Sequence, residues 1–158
     1  MSYRLNKPFT AEEKDNFIFK YNQDCFHEGY HCRIEETDKA LFALEPNEIM
    51  VDGEPVIDPD YEEKEKQKEQ ERIKMLSCTK RDFALMLQEL GVTYSQLKTL
   101  IASNEQAQLE WDLCERLYRF NPLLDVMAEQ LGITPLQLDM IFKTANGENT
   151  VEELRDLR

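Results

Sequence analysis

Leu90-Gly91-Val92-Thr93-Tyr94-Ser95-Gln96-Leu97 returns later in the chain as Leu131-Gly132-Ile133-Thr134-Pro135-Leu136-Gln137-Leu138. The offset of 41 residues also relates Phe83 to Leu124, Met86 to Met127 and Leu100 to Ile141. Each copy reads as the end of one helix and the start of the next. The glycine suits a left-handed stop, and the β-branched residue after it can make the closing hydrophobic contact. The threonine can cap the following helix, with the glutamine three residues on completing a capping box. Pro135 falls at the first helical position, where proline is tolerated. Before the first copy, Phe83, Met86, Leu87 and Leu90 follow an i, i+3, i+4, i+7 spacing. Leu124, Met127, Ala128 and Leu131 do the same before the second. Two repeated helix-turn-helix hairpins are predicted.

Outward from the hairpins, residues 105–120 read as one longer helix. Its apolar residues, Leu109, Trp111, Leu113, Cys114, Leu117 and Tyr118, go most of the way round it. It is therefore the expected centre of a bundle of five to six helices over residues 77–158, packed around Trp111. Thr79 is placed to start the first of these helices, and Thr150 with Glu153 to cap the last. Residues 60–76 form a charged stretch with Glu-to-Lys spacings, predicted as a solvated connector helix.

Residues 1–59 read as a small α+β arm. Tyr3-Arg4-Leu5 is a strand candidate, and Thr10 with Glu13 caps a helix predicted to about Asn22. Residues 24–32 look like a loop. Arg33-Ile34-Glu35 and Ala40–Leu44 are further strand candidates. A hairpin is expected over 48–57, because Asp52-Gly53 suits the left-handed positions of a tight turn. Pro46, Pro55 and Pro59 favour edge strands and exposed links. The predicted fold class is mainly α with a small N-terminal α+β part.

The 158-residue chain carries a formal net charge of −13. The balance is −7 over residues 1–59, −1 over 60–76 and −5 over 77–158, with no basic stripe. Phosphate backbones are bound by clustered Lys and Arg, so neither nucleic acid nor an anionic membrane surface is an expected partner. No apolar leader follows Met1, and no apolar stretch approaches a membrane span. The expected location is the cytosol, where the four cysteines would remain free thiols.

Chemistry-bearing constellations are few. Cys25, His27, His31 and Cys32 place four zinc-type ligands within eight residues. Structural zinc normally takes two short knuckles separated in sequence, and the adjacent His31 and Cys32 do not readily turn to one ion. These residues are candidates only, and no metal or other cofactor is expected. Phosphate-loop, nucleophile-elbow and zinc-protease motifs are missing, so the chain is not expected to be an enzyme. A DNA-reading helix-turn-helix needs a polar outward face on its second helix. Tyr94, Ser95, Lys98 and Thr99 could supply one in the first copy, whereas Leu136, Asp139 and Met140 could not in the second. Tyr94, Ser95, Lys98, Leu136, Asp139 and Met140 are instead the candidate partner-binding residues, because the copies differ there.

The order of pieces resembles a family of small phage and prophage proteins of gut bacteria encoded near tail and tail-fibre genes. The resemblance rests on Arg4–Glu13, Phe42–Glu45, Glu54–Glu62, Leu117–Asp125 and Leu131–Asp139, and covers most of the chain. It implies a tail-region accessory protein, a minor structural component or assembly factor, acting by protein–protein contact. Its partners would be other phage or host proteins, with self-association a further option. Its place would be the host cytoplasm or the virion. The family brings no active residues. An alternative is an acidic inhibitor of a host nucleic-acid-binding defence complex, anti-CRISPR-like in kind. A third is a helix-turn-helix regulator.

Overall fold

A computed structural model describes residues 3–31 and 33–158. The chain divides into two compact units, Met1–Glu65 and Lys66–Arg158.

In the first unit the strands are β1 (Tyr3–Asn6), β2 (Arg33–Glu36), β3 (Ala40–Leu44), β4 (Glu48–Val51) and β5 (Glu54–Ile57), with helix α1 (Ala11–Glu28) between β1 and β2. The first three form an antiparallel sheet of order β1-β3-β2, and β4 pairs with β5. Apolar Ala-Leu-Phe-Ala-Leu makes β3 the central strand, buried along its whole length. Ala40, Phe42 and Leu44 cluster with Met50 on one face, while Leu41 and Ala43 alternate to the other. Tyr21 of α1 is buried and stacks on Tyr3 and Phe17, with ring centroids 4.1 and 4.6 Å apart. The hairpin turns at Asp52 and Gly53, both at positive φ. Pro55 sits in its two-stranded ladder opposite Met50.

The loop expected over 24–32 is corrected in large part. The Thr10–Glu13 capping box starts α1, which continues through Cys25 and His27 to Glu28 and stops at left-handed Gly29. Buried Tyr21 and Cys25, one turn apart, carry the inward face beyond Asn22.

Helix α2 (Tyr61–Lys74) takes up the charged stretch, and the division between the units falls inside it. Its second half is not simply solvated. Ile73 is buried. Arg72 donates two hydrogen bonds, of 2.8 and 2.7 Å, to Glu148 and further ones to Glu69. Lys143 pairs with Glu69 at 2.9 Å.

Six helices follow: α3 (Lys80–Glu89), α4 (Tyr94–Ala102), α5 (Glu105–Leu113), α6 (Pro122–Gln130), α7 (Pro135–Ala145) and α8 (Val151–Arg155). Eight helices are thus present among the described residues. The turn after α3 is closed by Val92 N–H donating to Leu87 C=O and Gly91 N–H to Gln88 C=O. After α6, Ile133 donates to Ala128 and Gly132 to Glu129 in the same pattern. Thr93 with Gln96 and Thr134 with Gln137 form complete capping boxes. Leu87, Leu97, Leu138, Ile141, Phe142 and Leu154 are at most 1% exposed and centre the core. Phe83 meets Phe142 at 6.0 Å.

The single helix expected over 105–120 does not form. Helix α5 ends at Leu113, and Arg116–Tyr118 is a strand, β7, paired antiparallel with an unforeseen strand β6 (Ser77–Thr79) before α3. Leu117 faces Cys78 across this ladder, and both are buried between exposed or half-buried neighbours, the alternation of a strand. Lys80 helps terminate α5 by donating from Nζ to the Trp111 carbonyl at 2.6 Å. Asn121 then caps α6, with Pro122 in its first turn. Trp111 is therefore not the bundle centre. It is half-buried and packs on the margin of the core.

Candidate functional site

The six candidate binding residues differ in their surroundings. Tyr94 is 47% exposed, with the Lys98 ammonium 5.9 Å from its ring. Ser95 lines a different, shallow depression with Thr93, Gln96 and Thr99. Leu136 is 62% exposed. Asp139 is engaged within the fold, because its carboxylate accepts from Arg119 Nε at 2.6 Å. Met140 packs against the core. Asp139 and Met140 are both half-buried.

Arg119 is the one buried basic side chain among the described residues. It also donates from Nη1 to Asp125 at 2.9 Å. The guanidinium thereby ties the chain after β7 to both α6 and α7, since a buried charge persists only when paired and hydrogen-bonded.

A groove of about 440 Å³ lies where α5, β7 and the start of α6 meet. Its lining includes Leu109, Trp111, Leu113, Tyr118, Phe120 and Leu123. Four of these are well exposed: Leu113 at 76%, Leu109 at 58%, Phe120 at 56% and Tyr118 at 44%. Tyr118 and Phe120 stand side by side, with ring centroids 5.5 Å apart. Asn121, which caps α6, donates from Nδ2 to Glu110 at 2.7 Å and so joins α6 to α5 in the groove's lining. Trp111 also borders a neighbouring depression with Leu85 and Tyr94, which extends the apolar band toward α3 and α4.

The break of α5 creates this surface. Had 105–120 stayed helical, Leu113 and Leu117, four residues apart, would share one face. The turn to β7 buries Leu117 and leaves Leu109, Leu113, Tyr118 and Phe120 outside. Covering such side chains is worth roughly 1.5–3 kcal/mol each when they pass fully from water. Contiguous exposed apolar patches of this kind mark interaction sites.

The charged residues lining the groove are Glu110 and Arg116, and Lys80 and Arg81 line the neighbouring depression. Glu105, Asp112 and Glu115 are exposed and, among the described residues, form no ion pair. Two of these bases are engaged within the fold. Lys80 is held on Trp111, and Arg116 donates from Nε and Nη2 to Ser77 at 3.0 and 3.1 Å.

In the candidate zinc segment, Cys25 is buried in α1 while His27 and His31 are exposed, and Cys32 lies outside the described residues. Among the described residues no group of three or more His, Cys, Asp and Glu gathers to hold a metal. Cys78 is a buried thiol. Burial, with Asp82 nearby, pushes its pKa up to about 12, which suits packing and not nucleophilic work. No helix among the described residues is long and apolar enough to cross a membrane. No known protein-family model, curated protein or solved structure matches the chain.

Proposed function

We propose that the chain is a tail-region accessory protein of a phage, a minor structural component or assembly factor that acts by protein–protein contact. The observation that carries the contact mode is the apolar groove between α5, β7 and α6, where four large side chains stay 44–76% exposed. The phage setting rests on the resemblance of Arg4–Glu13, Phe42–Glu45, Glu54–Glu62, Leu117–Asp125 and Leu131–Asp139 in layout to that family. Within this reading the two recurring phrases are copies of one helix-turn-helix hairpin. Matched turn hydrogen bonds and capping boxes, 41 residues apart, support that reading.

Mass spectrometry of purified particles, paired with a deletion of the coding sequence, tests the proposal. The chain is expected in particles or in complexes with tail proteins, and the deletion is expected to lower the yield of infectious particles. Normal particles from the deletion phage would refute it. A growth defect seen only in hosts carrying a nucleic-acid-targeting defence would replace it with the inhibitor reading.

A further inference from the structure

We infer that the α5–β7–α6 face is covered by a second copy of the chain, with β7 pairing antiparallel to the β7 of the other copy across a two-fold axis at Leu117. This inference rests on reading the groove as a protein-docking surface and adds which protein docks. The β6–β7 ladder leaves one edge open. Arg119 N–H donates to the Leu76 carbonyl at 2.9 Å, and the register runs on through Ser77 opposite Tyr118 to Cys78 opposite Leu117. Bonded pairs alternate along an antiparallel ladder, so Leu117 bonds toward β6 while the N–H groups of Arg116 and Tyr118 point away from it. Among the described residues neither N–H finds an acceptor, and no third strand joins the ladder. On the β6 side, by contrast, Asn146 Nδ2 donates to the Ser77 carbonyl at 3.1 Å. Arg116 and Tyr118 are both exposed. Unpaired backbone groups along an exposed edge are a template for one more strand.

The same strand lines the groove through Arg116, Leu117 and Tyr118, so a chain laid along it meets Leu109, Leu113 and Phe120. Charge selects no foreign occupant there. The lining charges are Glu110 and Arg116, one of each sign, and each is already bonded, to Asn121 and to Ser77. A two-fold contact sets each patch against itself, and here it brings no unbonded lining charge against its own kind. Symmetry favours the copy. Arg116 and Tyr118 flank Leu117 with the same backbone orientation, so rotation about Leu117 sets Arg116 of each copy against Tyr118 of the other and gives both free N–H groups an acceptor. The exposed parts of Leu109, Leu113, Tyr118 and Phe120 amount to on the order of 400 Å² per copy, which fits the apolar centre of an interface that buries about 800 Å² per partner. The net charge of −13 opposes association. Screening confines that repulsion to about 8 Å at physiological salt, so dimerisation should strengthen as salt is raised.

Sedimentation of the purified full chain over a range of concentration and salt tests the inference. A dimer is expected, and its dissociation constant should rise ~tenfold or more with Leu113→Asp and with Phe120→Glu. These side chains are mostly in solvent, and circular dichroism should show an unchanged fold. Mixing an Arg116→Cys chain with a Tyr118→Cys chain under mild oxidation reads the register. Opposed residues of a bonded antiparallel pair lie about 5.5 Å apart between Cα atoms, within disulfide reach. Peptide mapping should therefore find the two introduced cysteines joined to each other more often than either is joined to its own kind. A chain that stays monomeric, a dimer indifferent to Leu113→Asp and Phe120→Glu, or introduced cysteines that join only their own kind would overturn the inference. A foreign strand captured at β7 by a chain that stays monomeric would overturn it in favour of another partner and leave the proposed docking function standing. A dimer that passes these tests while the chain has no effect on phage particles would strike the proposed setting alone.

Discussion

Arg119 shows how much of this fold depends on one side chain that periodicity could not place. It lies in the stretch expected to be one helix over 105–120, and in the fold it is buried and held by Asp125 and Asp139. Asp139, at 30% side-chain exposure, is the better shielded partner, and Asp125, at 52%, the more screened. Asp139→Ala is expected to lower stability by about 1–3 kcal/mol, because it strands a charge-assisted bond to a buried guanidinium. Asp125→Ala should cost less than ~1 kcal/mol. Denaturant midpoints of the two variants check the order. Cys78 gives a second test at this scale. With its pKa raised to about 12 by burial, it should resist alkylation at mildly alkaline pH in the folded chain and react once unfolded. Peptide mapping after a timed iodoacetamide pulse reads this directly. Alkylation of Cys78 at the rate of an unfolded control would contradict its burial.

Among the elements, helix ends were legible in the sequence because capping is local chemistry. Thr10, Thr93, Thr134 and Thr150 each cap as their Glu or Gln partners announce. Gly91 and Gly132 take φ of 90° and 73°. Alanine at either position should cost roughly 1–2 kcal/mol from the left-handed backbone alone. A Cβ on Gly91 would also approach the Arg158 guanidinium at 3.1 Å. That is the far end of a flexible side chain, so the two variants should be similar in thermal melts. The β6–β7 ladder was not legible. Leu113, Cys114, Leu117 and Tyr118 fit helical spacing well, and only pairing with the distant Ser77–Thr79 makes Arg116–Tyr118 a strand. Such long-range pairing has no local signature.

Helix α2 adds a pH test. Hydrogen bonding from Arg72, and then Lys143, holds the Glu69 carboxyl at about 2, below its ordinary 4.5. A lowered carboxylate pKa stabilises the fold above the ordinary value, and the contribution is lost as pH falls toward the folded value. Amide protection in the second half of α2 should therefore decline between pH 4.5 and about 2. Glu148, also lowered by Arg72, should titrate in the same direction. Glu69→Gln should make that decline shallower. Protection in α2 that is independent of pH across this window would show that Ile73 packing alone holds the helix.

At the scale of the whole molecule, the groove was hidden by the same misreading that hid β7. Spacing alone places Leu109, Leu113 and Tyr118 on a central helix, because apolar residues run most of the way round it. The surplus of apolar residues was the available signal, since one helix face cannot bury them all. The core that does form draws on α3, α4, α6, α7 and α8 with Ala107 of α5, and leaves Leu109 and Leu113 of α5 outward. Where the two phrases differ, Tyr94 and Leu136 are exposed, while Asp139 bonds Arg119 and Met140 packs against the core, both half-buried.

The central claim is docking through that groove in particle assembly. Complementation of the deletion phage by wild-type chain and by a Leu113→Asp, Phe120→Glu chain, each at matched expression and with unchanged circular dichroism, measures it most directly as the titre of infectious particles. Docking through the groove requires wild type to restore the titre and the double variant to fall short of it by ~tenfold or more. Full restoration by the double variant would contradict it.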